Sequence, residues 1–152
     1  MDVQKISYLC NGNADAVEFI LRFHEFVIAW DDAVDQDKVP DEDRINAAML
    51  WGLIGLQENP LYRANELVMR ATIMQAVAAW QVANKFEKSK DRSLIEQAYF
   101  MRCAPYDVYS TVVFLAAGFD KQREAVEYFR SLAPEDSLAK YMAEIGDQNG
   151  LE

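Results

Sequence analysis

The chain has 152 residues, of which 51% are hydrophobic and 26% charged, and its 25 acidic and 15 basic residues leave a net charge of −10. This composition is typical of a single globular domain and excludes a disordered chain. The negative charge repels phosphate backbones and anionic lipids, so we expect neither nucleic acid nor a membrane as a partner.

The first strong helical pattern begins at Asn13, which can act as an N-cap, and its apolar residues recur at spacings of three and four until the helix ends near Asp35. Residues 1–12 are expected to be frayed. Asp41 can cap a second helix that ends before Asn59 and Pro60. In that helix Gly52 permits close approach of a neighbouring helix.

The third and longest helix is predicted for residues 61–87, and it carries two stripes of residues at helical spacing. One stripe is apolar: Leu67, Ala71, Met74, Ala78, Val82 and Phe86. The other is mixed and follows a strict four-three spacing: Glu66, Arg70, Ile73, Val77, Trp80, Asn84 and Glu87. Its polar members could form one wall of a site.

Two shorter helices, residues 93–102 and 106–117, flank Pro105, or else form one kinked helix, and Gly118 is expected to end this region. Two last helices are predicted to open at Asp120 and within residues 133–136, before a frayed tail at 147–152. Each of the four prolines can begin a helix. Residues 1–152 are therefore predicted to form a single-domain, all-α helical bundle of about six to seven helices.

The chain is predicted to be cytoplasmic. Its only cysteines, Cys10 and Cys103, do not suggest a disulfide framework or a zinc site, so two reduced thiols are expected. Residues 1–12 lack the pattern of a secretory signal, and no apolar run reaches about 18 residues.

Carboxylates crowd the last turns of the first long helix, where Asp31, Asp32 and Asp35 follow Trp30. Like charges three or four residues apart cost roughly 0.2–0.5 kcal/mol per pair, and the negative end of the helix dipole adds about 0.3–1 kcal/mol. A divalent cation would offset this cost, and so would solvation at a frayed helix end. Carboxylates without a histidine or cysteine cluster favour Mg²⁺ or Mn²⁺ over zinc.

The sequence Trp30-Asp31-Asp32-x-x-Asp35 resembles the aspartate-rich motif of class I isoprenoid synthases. In that family the motif binds Mg²⁺ and, through it, a substrate diphosphate, which would make these three aspartates metal-facing. A second motif of the family begins in the same manner at Asp107, but Phe114 occupies its glutamate position, and the chain is about half the length of such a synthase. As a whole, the chain looks like small all-α proteins from phage and bacteria.

Four further residues are candidates for binding a substrate. Arg102 could grip a phosphate with its guanidinium group, or it could form an ion pair with Asp107 across the proline break. Glu66 and Asn84 could meet the aspartates from the long helix, although Glu66 could instead pair with Arg70 one turn away. His24 is either a general base near the metal or, as we favour, a packing residue.

These residues support two classes of function and leave open whether the chain is an enzyme. The first is Mg²⁺-dependent chemistry on a diphosphate-containing small molecule, such as hydrolysis of a diphosphate ester. The alternative is a non-catalytic acidic module, of inhibitor, immunity or phage accessory type, that docks on a basic protein partner. A structural homo-oligomer is a third hypothesis, because the apolar stripes exceed what one small core can bury.

Overall fold

The computed structural model describes residues 1–35, 41–132 and 137–149, without the side chains of Asp35 and of residues 146–149. The described helices are α1 (Val3–Leu9), α2 (Ala14–Asp35), α3 (Glu42–Leu50), a π-helical turn (Trp51–Gly55), α4 (Leu56–Glu58), α5 (Pro60–Ala64), α6 (Glu66–Glu87), α7 (Arg92–Met101), α8 (Ala104–Ala117), α9 (Phe119–Leu132) and α10 (Leu138–Asn149). Within these ranges there is no strand, and the prediction of an all-α bundle is confirmed.

Helix α2 begins where the sequence predicts it, because the Asn13 side chain accepts a hydrogen bond from the backbone N–H of Ala16 at 3.0 Å. The preceding residues, expected to be frayed, instead contain α1. The Asp2 side chain caps α1, and Ile6 and Leu9 are completely buried. Burial of these two side chains stabilises α1 although the helix is only seven residues long.

Helices α3 and α4 are joined by the π-helical turn, so residues 42–58 follow one helical path, as predicted. Asp41 caps α3. Gly52 lies directly against the ring of Phe26 on α2, and a Cβ atom at this position would be 2.7 Å from the Phe26 ring. The absence of a side chain at Gly52 therefore allows the π-helical turn to approach α2 closely.

The predicted third helix is divided at Asn65 into α5 and α6. Asn59 caps α5: its side-chain oxygen accepts from the N–H of Tyr62 at 3.1 Å, and its amide donates to the carbonyl of Asp15 at 2.9 Å. Pro60 occupies the first turn of α5, where its missing N–H costs nothing. Asn59 thus starts α5 and also ties it to α2.

Helix α6 meets the core through a side that does not include its apolar stripe. Its fully or nearly buried residues are Met69, Ala76 and Ala83, seven residues apart, and they face the neighbouring helices. The apolar stripe is largely in solvent, since Leu67 is 85% and Met74 69% exposed. Both sides of α6 are apolar, and hydrophobic periodicity alone does not decide which of two apolar sides meets the core.

Helices α7 and α8 are separate, and Pro105 lies in the first turn of α8. Gly118 ends α8 with φ +85°, in a conformation that only glycine adopts readily, so the predicted stop is confirmed. Pro40, Pro134 and the predicted helix start within 133–136 lie outside the described residues, and so do residues 150–152 of the tail.

The core is centred on α8, which packs against α2, α6 and α9, while α6 also packs against α7. Tyr109 of α8 contacts the rings of Phe23 on α2 and Phe129 on α9. In the part of the chain that the structure describes, no helix is long and apolar enough to cross a membrane. This packing brings the C-terminal half of α2 alongside α6 and the junction between α7 and α8.

Candidate functional site

Asp31 lies where the end of α2 meets α6. Its Oδ1 atom accepts a hydrogen bond from Nε1 of Trp80 at 3.0 Å and lies 3.6 Å from Nη1 of Arg102. The rings of Trp30 and Trp80 also touch, with centroids 5.8 Å apart. Asp31 therefore accepts from an indole and faces a guanidinium, and these interactions offset its unfavourable position at a helix C-terminus.

Arg102, at the end of α7, contacts side chains of α2 and α6. Its Nε and Nη2 atoms donate to the two carboxylate oxygens of Glu87, the Nη2–Oε2 distance being 2.7 Å, and Nη2 lies 3.3 Å from Oδ1 of Asn84. The hydroxyl of Tyr141 on α10 donates to Glu87 as well. This is a paired, charge-assisted contact, so it fixes the direction of the guanidinium as well as neutralising Glu87.

Electrostatics at this cluster favour the charged form of Arg102. Burial opposes the charge, but the hydrogen bond and charge of Glu87, with the nearby charge of Asp31, outweigh it and raise the pKa of Arg102. The pKa of Tyr141 is raised by burial and then by Glu87. Arg102 is thus a permanent cation between two carboxylates, and Tyr141 is a permanent hydrogen-bond donor.

Asp32 is held in a different place from Asp31. Its Oδ2 atom lies 3.1 Å from Nη1 of Arg44 on α3, and Arg44 also reaches Glu25 at 3.5 Å. The two neighbouring aspartates therefore face different arginines. The side chain of Asp35 lies outside the described part of the structure.

The predicted Mg²⁺ or Mn²⁺ site depends on which side chains surround Asp31 and Asp32. Among the side chains that the structure describes, no group of three histidine, cysteine, aspartate or glutamate residues could hold a metal ion. A cation bound by both Asp31 and Asp32 would compete with Arg102, which lies 3.6 Å from Oδ1 of Asp31, and with Arg44, which lies 3.1 Å from Oδ2 of Asp32. The metal site stays a prediction, in which the Asp35 side chain would have to take part.

The four predicted substrate-binding residues separate into two groups. Arg102 and Asn84 do come together beside Asp31. Asp107 lies apart from this cluster and pairs with Arg130 on α9 at 2.7 Å, so the expected ion pair with Arg102 is replaced by two others. Glu66 pairs with Arg70 at 3.2 Å, and it lies 14 residues before Trp80, about 21 Å along the helix.

His24 is a packing residue, the interpretation that the sequence favours. Its Nδ1 atom lies 3.2 Å from the hydroxyl of Tyr109. Burial, followed by the charge of the N-terminus, lowers its pKa. His24 lies seven residues before Asp31 on α2, about 10 Å along the axis, too far for direct contact with a group bound there.

An apolar cleft of about 60 Å³ separates α2 from α6 next to this cluster. Among the described residues that line it, Asp31 is the one that is charged, and the others are Phe23, Phe26, Val27, Trp30, Ile73, Ala76, Val77, Trp80 and Pro105. The Asp31 carboxylate faces the tryptophan indole and the arginine, so the cleft offers hydrophobic contact and little hydrogen bonding.

Sequence reasoning did not identify two partners of the acidic residues at this site: Arg44, which pairs with Asp32, and Tyr141, which donates to Glu87. Arg44 follows the predicted cap at Asp41 by three residues, so charge pairing between consecutive antiparallel helices could have indicated it. Tyr141 lies on α10, and no sequence pattern connects it to α6. No protein-family model, curated protein or solved structure matches this chain.

Proposed function

We propose that this chain is a non-catalytic protein-binding module whose binding surface is the outer face of α6. We define the outer face as five exposed apolar residues that share one side of that helix: Leu67, Ala71, Met74, Ala78 and Val82. The observation that carries this proposal is the exposure of the two largest, 85% for Leu67 and 69% for Met74.

The outer face does not contribute to the core of the chain. Helix α6 packs on α7 and α8 through its other side, where Met69 and Ala83 are completely buried. A helix that is apolar on all sides is ordinarily buried on all sides. Contiguous exposed apolar surface on a small protein commonly marks a site of protein interaction.

The aspartate cluster supports a structural role more than a catalytic one. Arg102 and Arg44 neutralise Asp31 and Asp32, and the carboxylate of Glu87 has three donor groups around it. A catalytic carboxylate needs an oxygen that is accessible to a metal or substrate. The cluster instead joins α2, α6 and α10 and so holds the outer face on a rigid support.

Site-specific photo-crosslinking tests this proposal. A photoreactive amino acid replaces Met74 in the protein within the cells that make it, and the adducts are identified by mass. We expect discrete adducts between position 74 and another polypeptide chain. The matched control carries the same group at Arg92 on α7, whose side chain is 79% exposed. Absence of any adduct at position 74, or equal adducts at both positions, contradicts the proposal.

A further inference from the structure

We infer that the occupant of the outer face is a second copy of this chain, whose α6 packs antiparallel to the first. This inference rests on the proposed function and names the partner. It gives the contact a register, in which the local two-fold axis passes between Met74 and Gln75.

The order of side chains along α6 is self-complementary about that point. When two copies run antiparallel, Leu67 of one lies against Val82 of the other, and Ala71 lies against Ala78. A two-fold interface requires such reciprocal pairing, because the same surface serves both partners. The two alanines lie between the larger residues, and their small side chains allow the helix backbones to approach closely.

Charge also favours a second copy at this surface. The chain carries −10 overall, yet residues 67–86 contain Arg70 and Lys85 and no carboxylate. Two copies that meet along this stretch therefore bring no carboxylates of residues 67–86 together, although the chain as a whole is strongly acidic.

The size of the surface sets the expected affinity. Stable interfaces use about 20–30 residues a side, and one helix of 22 residues presents fewer than that. We therefore expect a dissociation constant in the micromolar range, about 1–100 µM.

Analytical ultracentrifugation of the purified full chain tests the inference. Between about 1 µM and about 1 mM we expect a shift from the 17.4 kDa monomer to twice that mass. Met74→Lys should weaken association about tenfold or more, since it buries a charge at the axis. Phe119→Lys is the matched control, because Phe119 is 63% exposed and lies on α9.

Cysteine pairing tests the register. A mixture of Ala71→Cys and Ala78→Cys chains should form the mixed disulfide in excess over either self-disulfide, because in the antiparallel pair position 71 meets position 78. In a parallel pair each position would meet itself, and dominant self-disulfides would overturn the register.

The outcomes separate this inference from the proposed function. A wild-type chain that stays monomeric at about 1 mM overturns the inference, and so does a loss of association as large in Phe119→Lys as in Met74→Lys. If position 74 then crosslinks to a different protein in cells, the proposed function stands without the second copy. If position 74 forms no adduct at all, the proposed function fails too.

Discussion

Arg102 and Glu87 face each other in a paired hydrogen bond that joins the end of α6 to the junction of α7 and α8. The Glu87 carboxylate is only 11% exposed, so the guanidinium is its principal compensation for lost water. Asp31, Asn84 and Tyr141 surround this pair. Arg102 therefore connects the end of α2 with the end of α6, and α10 is attached to this pair through the hydrogen bond from Tyr141 to Glu87.

Replacing Arg102 with methionine should lower the free energy of unfolding by roughly 2–4 kcal/mol, because it leaves Glu87 buried without its cation. Urea denaturation measures this change. Arg102→Met combined with Glu87→Gln should recover part of the loss, since the second change removes the stranded charge. Equal stability of the single and the double variant would contradict the expected relief of a stranded charge at Glu87.

Asp31→Ala should lower the free energy of unfolding by about 1–2 kcal/mol and lower the melting temperature, because Trp80 and Arg102 both lose a partner. This outcome is opposite to that of a strained like-charge cluster, whose stability would rise when a carboxylate is removed. Asp32→Ala is the matched comparison. Its effect should stay below about 1 kcal/mol, because Arg44 is 36% exposed. A higher melting temperature for Asp31→Ala would restore the strained-site interpretation.

Stability should fall in mildly acidic solution because of His24. Its pKa is lowered in the folded chain, mainly by burial, whereas the unfolded chain titrates near pH 6.5. Between these two pKa values the unfolded state binds more protons, so the free energy of unfolding decreases as the pH falls through about 6.5.

Urea denaturation of the wild type and His24→Gln from about pH 8 to about pH 5 isolates this contribution. The glutamine side chain is neutral throughout, so carboxylate titrations common to both proteins cancel in the difference. The wild type should lose more stability than the variant on acidification. Parallel curves would exclude a titrating role for His24.

Asn59→Ala should lower the free energy of unfolding by about 1–3 kcal/mol, which is more than the loss of an ordinary helix cap. The reason is that Asn59 is only 5% exposed and its side chain also donates a hydrogen bond to α2. Asn65→Ala is a suitable control, since its amide bonds only the carbonyl of Leu61 within the same turn. Thermal unfolding of both variants compares them. A smaller effect at Asn59 than at Asn65 would argue against the link between α5 and α2.

Local signals predicted the helices well. The cap at Asn13, the turn at Gly118 and Pro60 each act through one residue and its immediate backbone, so the sequence is sufficient to locate them. Helix α1 was missed because burial of Ile6 and Leu9 stabilises it, and burial depends on the assembled bundle.

The candidate site was only partly predictable. Asn84 and Trp80 lie on one stripe of α6, and helical spacing alone indicated that they could meet the end of α2. The position of Arg102 beside Asp31 was not encoded in any local pattern. It depends on where the turn before α8 comes to lie, which is set by packing of α8 against α2, α6 and α9.

The two thiols of the chain have a practical consequence. Cys10 is completely buried, and burial raises the pKa of its thiol to about 11, while burial also raises the pKa of Cys103. Thiolates are the reactive form, so both native side chains should resist alkylating reagents in the folded protein near neutral pH. A single cysteine introduced at the surface would then be the only rapidly labelled position, and fluorophores or spin labels could be attached there without first removing the native residues.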